Sequence, residues 1–444
     1  MHPNPALRAR CFAANQSWSV SQGSFSLQNR LRAFGAITSL ALLAGCGAGQ
    51  TIGHQLLGLN TGASAPGSAP SEFGYVVADE PQAAIVGRDI LNHGGNAVDA
   101  AAAEGFAQAV TLPSRGGLGG GGACLIKMPN SSGKMQPPVM LDFPAGAPAA
   151  DGGSRPAAVP LLARGLLARQ ARYGRLPQSA VIVPAERLAG GAQVSQALEA
   201  DLQVVGNALL ADPQAAAIFA PDGKILPEGA NFQQPDLATT LENLRVNGVN
   251  GLYVGANATQ FAEAADSAGG NLTAQDLKTA TPKYGTPDIT QQNGYDVASL
   301  PVGNSGHGKA LPASASFMAL DKNGGAVICV TSMNNLFGTG RIAPGTGVLL
   351  AASPRSHPAP ELAASMAYTS GNYAFRAAAS GTGQNEAEKA AQIGLANALT
   401  GKNTPIPGPG RANVISCPRN VPGGEASCTA SAAPGGNGLA IGGR

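Results

Sequence analysis

Charge is scarce in this chain: Asp, Glu, Lys and Arg make up 12% of its 444 residues, and the formal net charge is only +2. With no basic surplus to neutralise phosphates, no nucleic-acid partner is expected. Aromatic residues are 5%, with one Trp, so a core must be built from aliphatic and small side chains. The five histidines (2, 54, 93, 307 and 357) are scattered, no H-E-x-x-H occurs, and no cysteine pair has zinc-site spacing. Neither a metal nor an organic cofactor is expected. No apolar run reaches the roughly 20 residues that a membrane-spanning helix needs. What is abundant is Gly (61) and Pro (33), which demand many tight turns. A hydrophobic content of 44% still suffices for a globular core.

The start of the chain reads as a targeting signal. Residues 1–32 carry Arg8, Arg10, Arg30 and Arg32 and no acid, and a short apolar run follows over 33–43. That is the length and flank of a signal-peptide core. It ends in Leu43-Ala44-Gly45-Cys46, which resembles the lipobox of bacterial lipoproteins, whose cysteine takes the lipid and becomes the mature N-terminus. An ordinary signal peptide with an unrelated cysteine is the alternative. The expectation is an exported bacterial lipoprotein on the periplasmic face of a membrane, with a signal peptide over 1–45 and a Gly/Ala/Ser/Pro-rich tether over 46–71. Cys417 and Cys428 lie close together in a Gly/Pro-rich stretch; in an exported protein a disulfide between them is expected. Cys124 and Cys329 sit in apolar runs and are expected as free, buried thiols.

Elements can be placed along the rest. A strand is expected near 73–77, then helices over Pro81–Asn92 and 96–110, parted by His93-Gly94-Gly95 with Asn96 as N-cap. Short strands fall at 123–126 and 139–143. Helical spacing of apolar residues marks 161–173 and 185–200. Apolar stretches 317–320 and 326–333, joined by Lys322-Asn323-Gly324-Gly325, read as a hairpin. A strand near 373–378 and a helix over 385–399 follow, and from Gly401 the composition is tail-like. Strand pairs with helices outside them suggest a layered α+β body.

Two nucleotide-like patterns fail on context. Gly117-Leu118-Gly119-Gly120-Gly121-Gly122 satisfies G-x-G-x-x-G but leads into a strand instead of opening a helix. Gly303-Asn304-Ser305-Gly306-His307-Gly308-Lys309 approaches a phosphate loop, yet Ala310 stands where a Ser or Thr must bind magnesium.

A distributed pattern is more specific. His93-Gly94-Gly95-Asn96-Ala97-Val98-Asp99-Ala100-Ala101, the glycine run, Tyr173-Gly174-Arg175-Leu176-Pro177, Pro184-Ala185-Glu186-Arg187-Leu188-Ala189, Gln234-Pro235-Asp236-Leu237-Ala238-Thr239-Thr240-Leu241, Leu252-Tyr253-Val254-Gly255 and Leu272-Thr273-Ala274-Gln275-Asp276-Leu277 occur in order. Together they resemble the gamma-glutamyltranspeptidase family. The resemblance covers about 76–399 and implies the four-layer αββα sandwich of N-terminal nucleophile hydrolases. In that family self-cleavage exposes a threonine whose hydroxyl attacks and whose α-amine serves as base, the amine titrating near ~8. Here Ser314-Ala315-Ser316-Phe317-Met318-Ala319-Leu320-Asp321 falls in register with that segment, so the resemblance makes Ser314 the nucleophile and Ala313–Ser314 the cut.

Further roles follow from the same resemblance. Ser332 takes the place of the residue that orients the nucleophile, and Asn334 that of a substrate-binding asparagine. Ala379-Ser380-Gly381-Thr382-Gly383 matches the turn whose amides form the oxyanion hole, here at Thr382 and Gly383. Ser365 keeps part of a substrate-binding serine pair, shifted by one. The chain also departs from the pattern. Pro144 stands where an arginine grips the substrate α-carboxylate, Ser356 where an acid holds the α-amine, and Ser353 where a glutamine lies. Losing a charged contact of that kind costs about 2–5 kcal/mol. The expected organisation is a large-subunit-like region over 72–313, a small-subunit-like region over 314–400 and a tail over 401–444. The expected activity is cleavage or transfer of a γ-glutamyl or related acyl group from a small amide or peptide. The alternatives are an acylase of other specificity and an inactive, membrane-tethered family member.

Overall fold

A computed structural model describes residues 74–150, 152–301, 314–358 and 360–442. The signal peptide, Cys46 and the tether lie outside the described residues, as does Ala313. No helix among the described residues is long and apolar enough to cross a membrane.

Two antiparallel sheets carry the fold. The first runs in the order β17 (Leu439–Ile441), β1 (Gly74–Ala78), β9 (Ser314–Asp321), β10 (Ala326–Ser332), β2 (Gly121–Lys127), β3 (Val139–Phe143), β6 (Lys283–Gly285). The second runs β16 (Thr429–Ser431), β15 (Arg411–Val421), β14 (Phe375–Thr382), β13 (Ala363–Tyr368), β8 (Tyr295–Ser299), β7 (Asp288–Gln292). Two small ladders, β4 (Ala192–Gln193) with β5 (Asn231–Phe232) and β11 (Ile342–Ala343) with β12 (Val348–Leu349), lie outside them.

Strand alternation sorts the core into layers. On β9, Met318 and Leu320 face the second sheet, where they meet Met366, Ala378 and Ile415. Phe317 and Ala319 face the other way, into a helical layer. The central helix of that layer, Ala97–Thr111, is buried along its whole length. Its run of alanines leaves little bulk between helix and sheet. Asn96 caps it by accepting from the amides of Val98 and Asp99, while Asp99 accepts from the Asn96 amide in return. On the far side of the second sheet, Ala367, Ala377 and Ala379 pack on Leu395 of the helix Ala387–Thr400. The layers are therefore helix, sheet, sheet, helix, as expected.

Three expectations need correction. Cys124 and Cys329 are not free thiols: they are joined in a disulfide. They are direct partners on β2 and β10, a pairing of strands far apart in sequence that neither apolar run reveals alone. The stretch 185–200 is not one helix. Gln178–Gly190 ends at Gly190-Gly191, and a new helix, Gln196–Leu209, starts on the Ser195 cap. The segment after Gly401 is no tail: it supplies β15, inside the second sheet, and β17, on the edge of the first. Cys417 and Cys428 are bonded there.

Candidate active site

Ser314 opens β9 and is only 2% exposed. Its hydroxyl is buried and makes no hydrogen bond with the described residues. A buried hydroxyl without a partner costs on the order of 1–3 kcal/mol, so it is a site where a substrate or reaction atom has something to satisfy. By alternation it faces between the sheets with Ser316, Met318 and Leu320.

A row of residues runs sideways from Ser314 across the first sheet. Ser332 on β10 is its direct partner, and Gly121 on β2 is the partner of Ser332. Beyond Gly121 lies the exit from β3, at Pro144 and Ala145. A Cβ on Gly121 would sit 2.3 Å from both the Phe143 carbonyl oxygen and the Ala145 nitrogen, so only glycine lets that exit close against the row. Asn334, in the left-handed region at φ 61°, locks the corner. Its backbone N–H donates to Ser332 Oγ at 2.8 Å, and its side-chain amide donates to the carbonyls of Ala145 and Ala352 at 3.0 and 2.8 Å. Both amide protons of Asn334 are thus spent on bracing the site.

The second sheet supplies the facing wall. Ser380 Oγ donates to Ser316 Oγ at 2.8 Å, and Asn413 Nδ2 donates to the same oxygen at 2.9 Å and to Asp79 at 2.8 Å. Asp79, just past β1, also accepts from the Ser316 amide at 2.7 Å. Burial pushes the Asp79 carboxyl above the usual carboxylate range, against the pull of these bonds. Next along β14 come Thr382, 4% exposed, and Gly383 at φ 104°. A Cβ on Gly383 would lie 2.3 Å from the Pro409 carbonyl oxygen, so this turn needs glycine on two counts. Nearby, Arg115 forms a bidentate pair with Asp201 at 2.6 and 2.8 Å, and Ser114 donates to the same carboxylate at 2.6 Å.

The fold therefore brings Ser314, Ser332, Asn334 and the Thr382–Gly383 turn to one end of the sheet pair. It does not bring Ser365 there. Ser365 pairs with Ala379 and Ser299, shares the face of Ala367 that packs on the helix Ala387–Thr400, and bonds to Ser299 Oγ at 2.8 Å. It lies on the opposite face of its sheet from the nucleophile. Asp79, Ser316, Ser380 and Asn413 were not among the expected site residues. Asp79 directly follows an expected strand, and Asn413 lies in a stretch whose glycines and prolines hid its alternation. No group of three or more His, Cys, Asp or Glu among the described residues could hold a metal ion.

Comparison with known proteins finds relatives in sequence and in fold. The glutathione hydrolase proenzyme of Escherichia coli K12 is 36% identical over 253 residues, covering 52% of this chain and 43% of that protein. Glutathione hydrolase 2 of Arabidopsis thaliana is 29% identical over 247 residues, covering 52% and 42%. The chain thus spans less than half the length of these relatives. In structure, the cephalosporin acylase of Bacillus halodurans superposes with a TM-score of 0.67 at 18% identity, over 86% of this chain and 99% of that one; at that identity the likeness is one of fold, a helix–sheet–sheet–helix sandwich. The family model for gamma-glutamyltranspeptidase matches residues 83–315, from the first helix to the start of β9, and the chain belongs to that family.

Proposed function

We propose that the protein is an amidohydrolase or acyl transferase with Ser314 as nucleophile, acting on γ-glutamyl or related acyl amides after cutting its own Ala313–Ser314 bond. The observation that carries this is the Ser314 hydroxyl: buried, unpartnered, backed by Ser332 and at the level of the Thr382–Gly383 turn. Cutting begins when Ser314 Oγ attacks the Ala313 carbonyl and displaces the Ser314 nitrogen; water then cleaves the resulting ester. The freed α-amine takes the Oγ proton when the hydroxyl attacks a substrate amide. The oxyanion is met by the Thr382 and Gly383 amides. The C–N bond breaks, the proton passes from the α-amine to the leaving amine, and water or an acceptor amine resolves the ester.

Ser314→Ala is expected to abolish both chain cleavage and amide turnover by at least about 1000-fold, as loss of a nucleophile does. Reducing denaturing electrophoresis and an anilide assay check it. Turnover surviving the substitution would refute the nucleophile, and a wild-type chain that stays whole and inert would mark an inactive family member.

The finer placement of the protein is also proposed: an exported lipoprotein held to a membrane through a lipid on Cys46. The lipobox-like Leu43-Ala44-Gly45-Cys46 supports it. Cys46→Ser should move the protein from the membrane fraction to the soluble one. Membrane retention by the variant counts against the lipid.

A further inference from the structure

Ser314 Oγ makes no hydrogen bond with the described residues, so its place against the second sheet is set by the strand that carries it. The next residue of β9 on the same face is Ser316, and Ser316 does bond across the gap. Its hydroxyl accepts from Ser380 on β14 at 2.8 Å and from Asn413 on β15 at 2.9 Å, and donates to Asp79 at 3.2 Å. Asp79 closes the ring. One of its carboxyl oxygens accepts from the Ser316 amide at 2.7 Å and the other from Asn413 at 2.8 Å, while its own amide donates to the Ser316 carbonyl at 3.0 Å. Asn413 Oδ1 in turn accepts from the Ala433 amide at 2.8 Å. All four residues are at most 4% exposed, and both side-chain protons of Asn413 are spent on the ring. A buried polar network satisfied in this way holds one arrangement, where apolar faces alone could slide.

Strand direction puts the working groups on one side of this clasp. Ser316 meets Asn413, and further along both strands Gly324 meets Val421, whose carbonyl oxygen would lie 2.8 Å from a Cβ on Gly324. β9 and β15 therefore run the same way, and β14, antiparallel to β15, runs against β9. Going back along β9 from Ser316 and forward along β14 from Ser380 is thus one direction. Two residues that way, about 7 Å, lie Ser314 on one strand and Thr382 on the other. Each is on the same face as the serine that makes the cross-sheet bond.

We infer that Asp79 is a positioning residue: by holding Ser316 against Ser380 and Asn413 it sets the separation between Ser314 Oγ and the Thr382–Gly383 amides, and so the rate of attack but not the binding of substrate. This inference rests on the reading of Ser314 as nucleophile. Asp79 acts through Ser316 and needs no contact with a reacting atom. Asp79→Asn keeps the shape of the side chain but turns one acceptor into a donor, facing either the Ser316 amide or the Asn413 amide. Exchanging the two residues, Asp79→Asn with Asn413→Asp, again sets one carboxylate against one amide.

The test measures kcat and KM for γ-glutamyl p-nitroanilide in wild type, Asp79→Asn, the exchanged double variant and Ser380→Ala, with crystal structures of the first three. Asp79→Asn should lower kcat by about 100-fold, the cost of a misplacement of about 1 Å, and leave KM within about threefold. The double variant should recover kcat to within about fivefold of wild type, and Ser380→Ala, which removes one hydroxyl and no charge, should lower it about tenfold. Ser380→Ala carries the test alone if Asp79→Asn does not fold. An unchanged kcat in either single variant, a rise in KM instead, or a loss that the exchange does not recover overturns the inference and leaves Ser314 in place. If wild type turns over no anilide, the nucleophile is refuted and the structures decide on Asp79. A start of β9 displaced against Thr382 in Asp79→Asn and returned by the exchange supports the clasp, and an undisplaced one overturns it.

Discussion

Glu104 shows what a single buried charge does to this protein. It lies inside the Ala97–Thr111 helix, fully buried, and neither carboxyl oxygen has a hydrogen-bond partner among the described residues. Its carboxyl lies so close to Gly87 that a Cβ there would come within 2.2 Å of Oε1. Burial pushes Glu104 well above the carboxylate range, with Arg169 pulling weakly the other way. Burial likewise lowers Arg169 to about 10. A carboxyl with a raised folded-state pKa favours the folded state fully below its unfolded pKa, near ~4.3, and loses that contribution as pH climbs through the folded value. Glu104→Gln copies the neutral acid and cannot titrate. It should match wild type in urea denaturation at pH 4 and become the more stable protein at pH 7 and 8.5, by at most about 1.4 kcal/mol per pH unit crossed. If wild type instead gains on the variant as pH rises, Glu104 is ionised and paired with Arg169. None of this could be read from the sequence, where Glu104 is one acid in an alanine run. Ser314 could be, because its neighbours match a family segment residue for residue. Asn413 could not, because its meaning comes only from the strand it faces.

At the scale of elements, legibility followed the strength of local signals. The Pro81–Asn92 helix was expected within its observed bounds, and Val139–Phe143 likewise. Each is announced by chemistry close in sequence: Pro at the first helical position, and a short apolar run ending beside Pro144. The hairpin of β9 and β10 was read from its Asn-Gly turn, but its first strand proved longer, starting at Ser314 itself. β15 shows the opposite case. Residues Arg411–Val421 alternate well enough for a strand, yet the surrounding Gly and Pro gave the stretch the composition of a tail. What makes it a strand is β14 on one side and β16 on the other, contacts that no window of sequence contains. The misplacement of Ser365 has the same root. A shift of one residue along a strand moves a side chain to the other face, and a motif match one position out of register cannot be trusted to say which.

At the scale of the whole molecule, the disulfide and the cut interact. Cys124 lies before Ser314 in the chain and Cys329 after it, so the Cys124–Cys329 bond joins the two pieces that cleavage at Ala313–Ser314 would create. Cys417–Cys428 lies wholly within the later piece. The linkage sits in the middle of the first sheet, between adjacent strands, with Arg169 Nη1 against both sulfurs. Were the chain cut there, its halves would not depend on packing alone to stay together: β2 of one piece and β10 of the other would remain covalently paired. Electrophoresis in denaturant therefore gives different answers with and without reductant. The cleaved wild-type protein should run as one band without reductant and as two with it. Cys329→Ala should give two bands under both conditions. Its melting temperature should also fall: closing a loop of about 100 residues contributes roughly 4.7 kcal/mol, and the bond here closes a longer one in the uncut chain. Two bands from cleaved wild type without reductant would show that the strands are paired but not bonded.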